Sequence, residues 1–183
     1  MQRVKPLPNV IDLALPGVKL ITPRRYEDER GWFSEAWQRD DWHKIGIDID
    51  FMQQNLAMNV RRGTLRGIHW QCEPYGQAKL IRCLTGSVLD VAADIRPGSP
   101  TFGRSVTVVL SAEAGSALYI PAGYGHGYLT LEDRTLVEYG VDAPWCPEAE
   151  TACRWNDPTL AVDWGTDAPI LSAKDRAAPF LKG

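Results

Sequence analysis

The sequence predicts a mainly β protein, either a sandwich or a barrel of short strands. Short apolar segments follow one another closely through the centre of the chain. Turn residues separate them, and the 183 residues include 16 glycines and 13 prolines. Apolar residues at helical spacing are scarce by comparison. Antiparallel sandwiches and barrels are the folds that such a pattern favours.

The central strands can be placed from these apolar segments and the turns that end them. One segment runs into Thr85-Gly86, and the next ends at the turn Pro97-Gly98-Ser99-Pro100. The predicted strands cover residues 79–84, 87–95, 105–110, 116–120 and 136–141.

The two ends of the chain carry weaker signals. Residues 35–45 fit one amphipathic helix with Trp37, Trp42 and Ile45 on a single face. Residues 148–152 fit a helical turn, and the tail 155–183 is expected to wrap irregularly and add a short strand.

The length suits one domain with its own core. Within the domain 1–183 we expect three parts: N-terminal strands and a helix over residues 1–50, a barrel core over 51–145, and a C-terminal wrap over 146–183.

Composition excludes several classes of protein. A formal net charge of −3 argues against binding nucleic acid through a broad basic surface. No segment resembles a signal peptide or is long enough to cross a bilayer, so we expect a soluble cytoplasmic protein without membrane or nucleic-acid partners. The four cysteines show no Cys-x-x-Cys spacing and are expected to be reduced and structural.

Two of the three histidines occur in short frames that contain glycine. His69 lies in Arg66-Gly67-Ile68-His69, and His126 lies in Gly125-His126-Gly127. Histidine is the side chain most easily poised to exchange a proton near neutral pH. His43 lies in a polar stretch and is expected at the surface.

A metal site is one interpretation of these histidines. Such a site usually needs three protein ligands at suitable spacing. The second residue after His69 is Gln71, so there is no His-x-His pair. Glu73 or Glu138 would have to complete a site with His126, and nothing in the sequence fixes that arrangement.

Acid–base catalysis without a metal is the other interpretation. His69 would be the base and would need a carboxylate partner. Lys79 would stabilise an oxyanion, and a tyrosine such as Tyr139 would supply a proton. Arg66 and Arg30 could contact a phosphate, although on pattern alone the turn containing Arg30 is a polar hairpin.

Seven tryptophans are many for one domain. Trp145 lies between prolines and suits a loop beside a ligand, whereas core positions are expected for Trp32, Trp70, Trp155 and Trp164.

Several short motifs follow one another in order along nearly the whole chain. They cover residues 28–35, 53–55, 63–71, 77–79, 86–91, 94–96, 98–103, 119–121, 123, 126–127, 155–158 and 171–175. In this order they resemble the dTDP-4-dehydrorhamnose 3,5-epimerase family. The resemblance implies a cupin-like double-stranded β-helix, or jelly roll, with short flanking helices.

The resemblance also implies an activity. Family members are isomerases that invert carbons 3 and 5 of a nucleotide-linked 4-keto-6-deoxyhexose. By resemblance, His69 is the base and Asp175 orients it, while Lys79 stabilises the enolate and Tyr139 returns the proton. No metal or cofactor is implied, because the substrate's ketone accepts the electron pair.

Substrate-binding positions and a partner follow from the same resemblance. Arg66 would contact the diphosphate, while Arg30 and Glu35 would reach in from the partner of a homodimer formed by strand exchange. The expected binding residues are Arg30, Phe33, Glu35, Gln53, Asn55, Arg66, His126, Trp145, Glu150 and Lys174.

Four positions depart from the family pattern. Trp145 replaces a tyrosine that stacks on thymine, Ala57 and Asn59 replace two serines, and Gly125 replaces an alanine. Ala57, Asn59 and Trp145 flank the ligand rather than the reacting groups. The sequence leaves open the nucleotide and the pathway, and it leaves a 3- or 5-monoepimerase, a 3,4-ketoisomerase and a non-catalytic or metal-binding cupin as alternatives.

Overall fold

Two antiparallel sheets face each other in the computed structural model, which describes residues 6–181. The strands of the six-stranded sheet, in spatial order, are β1 (Asn9–Asp12), β2 (Lys19–Thr22), β10 (Ala117–Ile120), β7 (Lys79–Thr85), β12 (Thr135–Val141) and β5 (Gln53–Asn59). Those of the five-stranded sheet are β13 (Glu150–Ala152), β6 (Leu65–Gln71), β11 (Tyr124–Thr130), β8 (Ser87–Asp94) and β9 (Ser105–Ser111).

Three short elements lie outside these sheets. They are the hairpin of β3 (Arg25–Asp28) with β4 (Gly31–Ser34), the helix α1 (Arg39–Lys44) and the helix α2 (Ala173–Ala177). The predicted mainly β jelly roll with short flanking helices is therefore confirmed.

Alternation of side chains along the strands separates two apolar layers. Ile81, Val88 and Leu118 belong to the core between the two sheets. Leu65 and Ile68 instead belong to a second cluster on the outer side of the five-stranded sheet, together with residues of the C-terminal tail. Because the tail covers its outer side, β6 can point reactive side chains inward without exposing an apolar outer face.

One irregularity in β6 decides which of its side chains face inward. Pairing with β11 aligns His126 with His69 and Tyr128 with Arg66, so the register shifts between these pairs. In a regular strand, residues three apart point to opposite faces. The shift at Gly67 lets both Arg66 and His69 face the space between the sheets.

The helical predictions need correction. Helix α1 begins at Arg39, because the Gln38 side chain accepts a hydrogen bond from the Asp41 amide and caps the helix there. Trp37 precedes the helix and packs edge-on against Phe51. The helical turn predicted over residues 148–152 is confirmed only at its start, where the Ala149 and Glu150 amides donate to the Cys146 carbonyl oxygen. From Glu150 to Ala152 it is wrong, because these residues form β13 by pairing with β6.

The C-terminal tail also differs from expectation. Up to residue 181 it contains helix α2 instead of a strand, and its sheet-like contact is an isolated bridge between Ile170 and Thr64. Ser172 caps α2 by accepting a hydrogen bond from the Asp175 amide. This cap places the Asp175 carboxylate against β6.

Single residues were also misplaced. Trp32 is 56% exposed rather than in the core, because it lies on the projecting β3–β4 hairpin. His43 is partly buried, with its Nε2 atom 3.3 Å from Asp48.

All four cysteines are free, and of these Cys83 and Cys153 are buried. Among the described residues, no helix is long and apolar enough to cross a membrane.

The backbones of β6 and β11 approach closely at Gly67. Its φ is +121°, and a Cβ there would lie 2.5 Å from the Gly127 Cα and 2.8 Å from the His126 carbonyl oxygen. Gly67→Ala should therefore lower the free energy of unfolding by about 2 kcal/mol or more, because two backbones must separate. Denaturant unfolding measures this change.

Gly98→Ala is the matched control. Gly98 also has a positive φ, +78°, but a Cβ there meets nothing within 4 Å. Its replacement should cost only the left-handed strain of about 1 kcal/mol. Equal losses in the two variants would contradict the close-approach argument.

Candidate active site

A cavity of about 390 Å³ opens between the two sheets at one end of the barrel. His69 enters it from the five-stranded sheet, whereas Lys79 and Tyr139 enter from the six-stranded sheet. The lining residues are Gln53, Asn55, His69, Trp70, Gln71, Gln77, Lys79, Tyr139, Trp145 and Glu150. Three of the four predicted catalytic residues thus line one cavity, from two opposite walls.

The fourth, Asp175, lies behind His69. Its Oδ1 atom is 2.5 Å from His69 Nε2, and its Oδ2 atom accepts a hydrogen bond of 2.7 Å from the Ser172 hydroxyl. Burial opposes ionisation of this carboxyl, but hydrogen bonds from His69, Ser172 and the Gly67 amide hold its pKa below the usual value. The imidazole therefore has a fixed, charged partner on the side away from the cavity.

Lys79 is a buried cation at the start of β7. Its side chain is 8% exposed, and its Nζ atom lies 3.4 Å from the His69 carbonyl oxygen. Burial lowers its pKa to about 8, although Asp90 and Glu150 counteract this effect. The ammonium group is thus charged at neutral pH and placed beside the His69 strand.

Tyr139 faces His69 from β12. Burial raises the pKa of its phenol, and the nearby Arg66 cation partly offsets that change. The hydroxyl therefore keeps its proton at neutral pH and can act as a donor. Tyr139 and the His69–Asp175 pair thus belong to opposite walls of the cavity.

His126 forms a second buried histidine–carboxylate pair. Its Nε2 atom is 2.9 Å from Asp90 Oδ1, and Asp90 is fully buried. His126 is aligned with His69 across the β6–β11 ladder, with both side chains on the inner face. Arg66 follows on the same face and donates from Nε to Asn59 Oδ1 at 2.9 Å.

The rim of the cavity carries a linked set of polar groups. Glu150 pairs with Lys174 at 2.7 Å. Burial opposes its ionisation, but bonds from Lys174 and Trp145 lower the pKa of this carboxyl overall. The Trp145 ring is 57% exposed, and its backbone amide donates to the Gln53 side chain. Trp145 thus lies in a loop beside the cavity, as predicted.

Arg30, Phe33 and Glu35 do not line the cavity of their own chain. Arg30 forms an ion pair with Asp28 in the turn between β3 and β4, so the polar hairpin interpretation of this segment is confirmed. Phe33 is 68% exposed on the same hairpin, while Glu35 borders a separate cleft beside α1.

Sequence reasoning missed several supporting residues. Gln71 holds the loop at Trp145, because its side chain accepts from the Cys146 amide at 2.7 Å and donates to two backbone carbonyls. Its position two residues after His69 on a strand was the available signal, since such residues share a face. Gln77, Asp90 and Ser172 lay inside the motifs without an assigned role.

The proposed ligand set with Glu138 is not formed. Glu138 points to the opposite face of β12 from Tyr139 and bonds Arg82 and Gln54 there. Among residues 6–181, no cluster of three or more His, Cys, Asp or Glu side chains is placed to hold a metal. A larger cavity of about 730 Å³, on the outer side of β6, contains none of the four predicted catalytic residues.

Comparison with known proteins gives one consistent result. The family model for dTDP-4-dehydrorhamnose 3,5-epimerase matches residues 12–183. The chain is 45% identical to a protein of that name from Pseudomonas aeruginosa over 166 residues, which is 90% of this chain and 91% of the relative.

Solved structures agree in fold. The Legionella pneumophila dTDP-6-deoxy-D-glucose-3,5-epimerase, in complex with dTDP-4-keto-L-rhamnose, has a TM-score of 0.90 and 40% identity, covering 95% of this chain and 93% of that one. The 3'-monoepimerase ChmJ from Streptomyces bikiniensis, in complex with dTDP-quinovose, has a TM-score of 0.86 and 37% identity, covering 92% and 86%. The chain belongs to the dTDP-4-dehydrorhamnose 3,5-epimerase family.

Proposed function

We propose that the protein inverts both C3 and C5 of dTDP-4-keto-6-deoxyglucose by removing and returning protons α to the C4 ketone. The observation that carries this proposal is the His69–Asp175 pair, at 2.5 Å, facing a cavity whose opposite wall bears Tyr139 and Lys79. Named relatives are nucleotide-sugar epimerases, and one was solved with dTDP-4-keto-L-rhamnose.

His69 is the general base in this mechanism. It must be neutral to accept a proton from carbon, and the buried Asp175 carboxylate stabilises the imidazolium that results. The two bonds from His69 and Ser172 hold that carboxylate in place. The C–H electron pair moves to the C4 oxygen and forms an enolate, so no redox cofactor or metal is required.

Lys79 is the group that stabilises the enolate oxygen. A cation in a buried site interacts more strongly with a developing oxyanion than it would in water. Because both C3 and C5 are α to one ketone, this single cation serves both proton transfers.

Tyr139 is the acid that returns the proton to the opposite face of the ring. Its wall of the cavity belongs to the other sheet, so His69 would deprotonate the substrate on one face and Tyr139 would protonate the resulting planar enolate on the other. The imidazolium then loses its proton to water and the phenolate regains one from water before the second carbon reacts. The raised pKa of the phenol keeps the proton available. Each carbon is inverted because its proton leaves from one face of the ring and a proton is added to the other.

Binding is assigned to residues around this centre. Arg66 and His126 would contact the diphosphate region. Trp145 would stack on the thymine ring, since its indole is wider than the tyrosine ring usual in the family. Gln53, Asn55, Glu150 and Lys174 would complete the nucleotide site. Stacking discriminates weakly between bases, so thymine preference would depend on these polar neighbours.

We also propose that the working form is a homodimer in which the β3–β4 hairpin completes the partner's site. Trp32 and Phe33 are 56% and 68% exposed on that hairpin. Strand β5 is an edge strand whose outward Leu56 and Met58 are 65% and 50% exposed. Two such apolar surfaces on one chain favour a mutual exchange.

A cytoplasmic location is proposed as well, since the four cysteines are free, which suits a reducing compartment.

The second candidate activity is a monoepimerase at C3 or C5, because the structurally similar ChmJ is a 3'-monoepimerase.

Incubation with dTDP-4-keto-6-deoxyglucose in deuterated water tests the proposal. Mass spectrometry and NMR should find deuterium at both C3 and C5 with dTDP-4-keto-L-rhamnose as product. Label at a single carbon would instead identify a monoepimerase.

His69→Ala should slow label entry at both carbons by at least about a hundredfold, while Tyr139→Phe should impair inversion more than exchange. Unchanged product formation by Tyr139→Phe would show that the acid is misassigned.

The pH dependence tests Lys79. Its ammonium group is charged below its pKa of about 8 and neutral above it. The value of kcat/KM should therefore fall as pH rises through about 8. Lys79→Arg should move this fall to much higher pH, because a guanidinium stays charged to about pH 12. A fall at the same pH in both proteins would assign it to another group.

Mixed dimers test hairpin exchange. Arg30→Ala and His69→Ala should each be inactive alone if Arg30 serves the partner's site. After dissociation and random reassociation of the two variants, about a quarter of the sites should combine intact residues from both chains. Size-exclusion chromatography with light scattering checks the dimer. Failure of the mixture to recover activity would place Arg30 in its own chain's site.

A further inference from the structure

Asn59 is a buried amide that joins the two sheets. It ends strand β5 of the six-stranded sheet and is 1% exposed. Its Oδ1 atom accepts the 2.9 Å hydrogen bond from Arg66 Nε, on β6 of the five-stranded sheet. The contact therefore links a rigid interior residue to an arginine that is exposed in the single chain.

The orientation of the Asn59 amide is fixed by its neighbours. Its Nδ2 atom lies 3.1 Å from the Ala57 carbonyl oxygen and 3.2 Å from that of Thr135, which take its two protons. The Tyr128 hydroxyl lies 3.3 Å from Nδ2 and 3.4 Å from Oδ1, so the two carbonyl oxygens, and not this hydroxyl, set the orientation. Burial raises the pKa of Tyr128 to about 12, although the Asn59 bond opposes this, so the hydroxyl is protonated at neutral pH. The amide oxygen is thus held toward Arg66.

The neutral character of Asn59 matters for Arg66. Arg30, Arg82 and Arg96 each pair with a carboxylate. Within residues 6–181, Arg66 has no such ion pair, and its hydrogen bond is to a neutral amide. Its charge is therefore not compensated, and four of its five N–H groups remain for an anion.

We propose that Asn59 is a positioning residue that fixes the Arg66 guanidinium through Nε, so that its remaining N–H groups meet the substrate diphosphate. The inference rests on the proposed function, which assigns the diphosphate to Arg66. Asn59 touches no substrate. It acts by removing the rotational freedom of the guanidinium before binding.

A double-mutant cycle on dTDP binding, measured by calorimetry, tests this role. Asn59→Ala should weaken dTDP binding about tenfold in the unmodified protein, as expected for loss of one bond to a charged group. In an Arg66→Ala background the same substitution should change binding less than about twofold. With the keto-sugar substrate, KM should rise by a similar factor while kcat stays nearly constant.

Two further variants separate positioning from folding. Asn59→Ser keeps a hydrogen-bonding group in the buried position, but its side chain is one bond too short to reach Arg66, so it should show the same loss even if Asn59→Ala does not fold. Tyr128→Phe removes the contact between the Tyr128 hydroxyl and the Asn59 amide but leaves the Asn59–Arg66 bond intact, so dTDP binding should be nearly unchanged.

The outcomes distinguish the two proposals. Equal weakening by Asn59→Ala in both backgrounds, or none in either, would overturn the role of Asn59 alone. A protein that binds dTDP with the predicted coupling but incorporates no deuterium would overturn the epimerase and retain the positioning role. Absence of any dTDP binding by the unmodified protein would overturn both.

Discussion

The short contact between His69 and Asp175 is the interaction on which the rest of the site depends. A buried carboxylate without a partner costs about 3–5 kcal/mol, and here the imidazole, the Ser172 hydroxyl and the Gly67 amide share its stabilisation. These contacts tie the tail to strand β6 of the five-stranded sheet. The same interaction that gives the proposed base its charged partner therefore also closes the C-terminal wrap over the outer face of the barrel.

Several buried ionisable groups lie between the two sheets near the cavity. Each is placed against a partner: His126 against Asp90, and Lys79 within the field of Asp90 and Glu150. Burial of Lys79 lowers its pKa without neutralising it at pH 7. The arrangement keeps a cation charged at a buried position, which is the condition under which a single positive charge has a large effect on an oxyanion.

The surface of the single chain is incomplete in a way that matches the proposed dimer. The hairpin with Phe33 projects away from its own cavity, and β5 presents an apolar outer face beside an unpaired edge. Such edges are usually protected in isolated domains. The cavity is also open on the side where the exposed Trp145 lies, and a hairpin from a second chain is the proposed cover. Trp145 and Asn59, which differ from the usual family residues, are both assigned here to binding rather than to proton transfer.

The sequence by itself determined the fold class, because alternation and turn residues are local properties that survive in any β arrangement. Ordered motifs also indicated the family and selected His69, Lys79, Tyr139 and Asp175, which the structure brings together. Only the tertiary structure decided which faces these side chains take. A one-residue change of register reverses the faces of a strand, and the shift at Gly67 depends on pairing with β11, more than fifty residues away along the chain. Strand β13 was missed for the same reason, since pairing with β6 fixes it. Helix α2 was missed although its cap, Ser172, is a local signal, because the helix has only five residues.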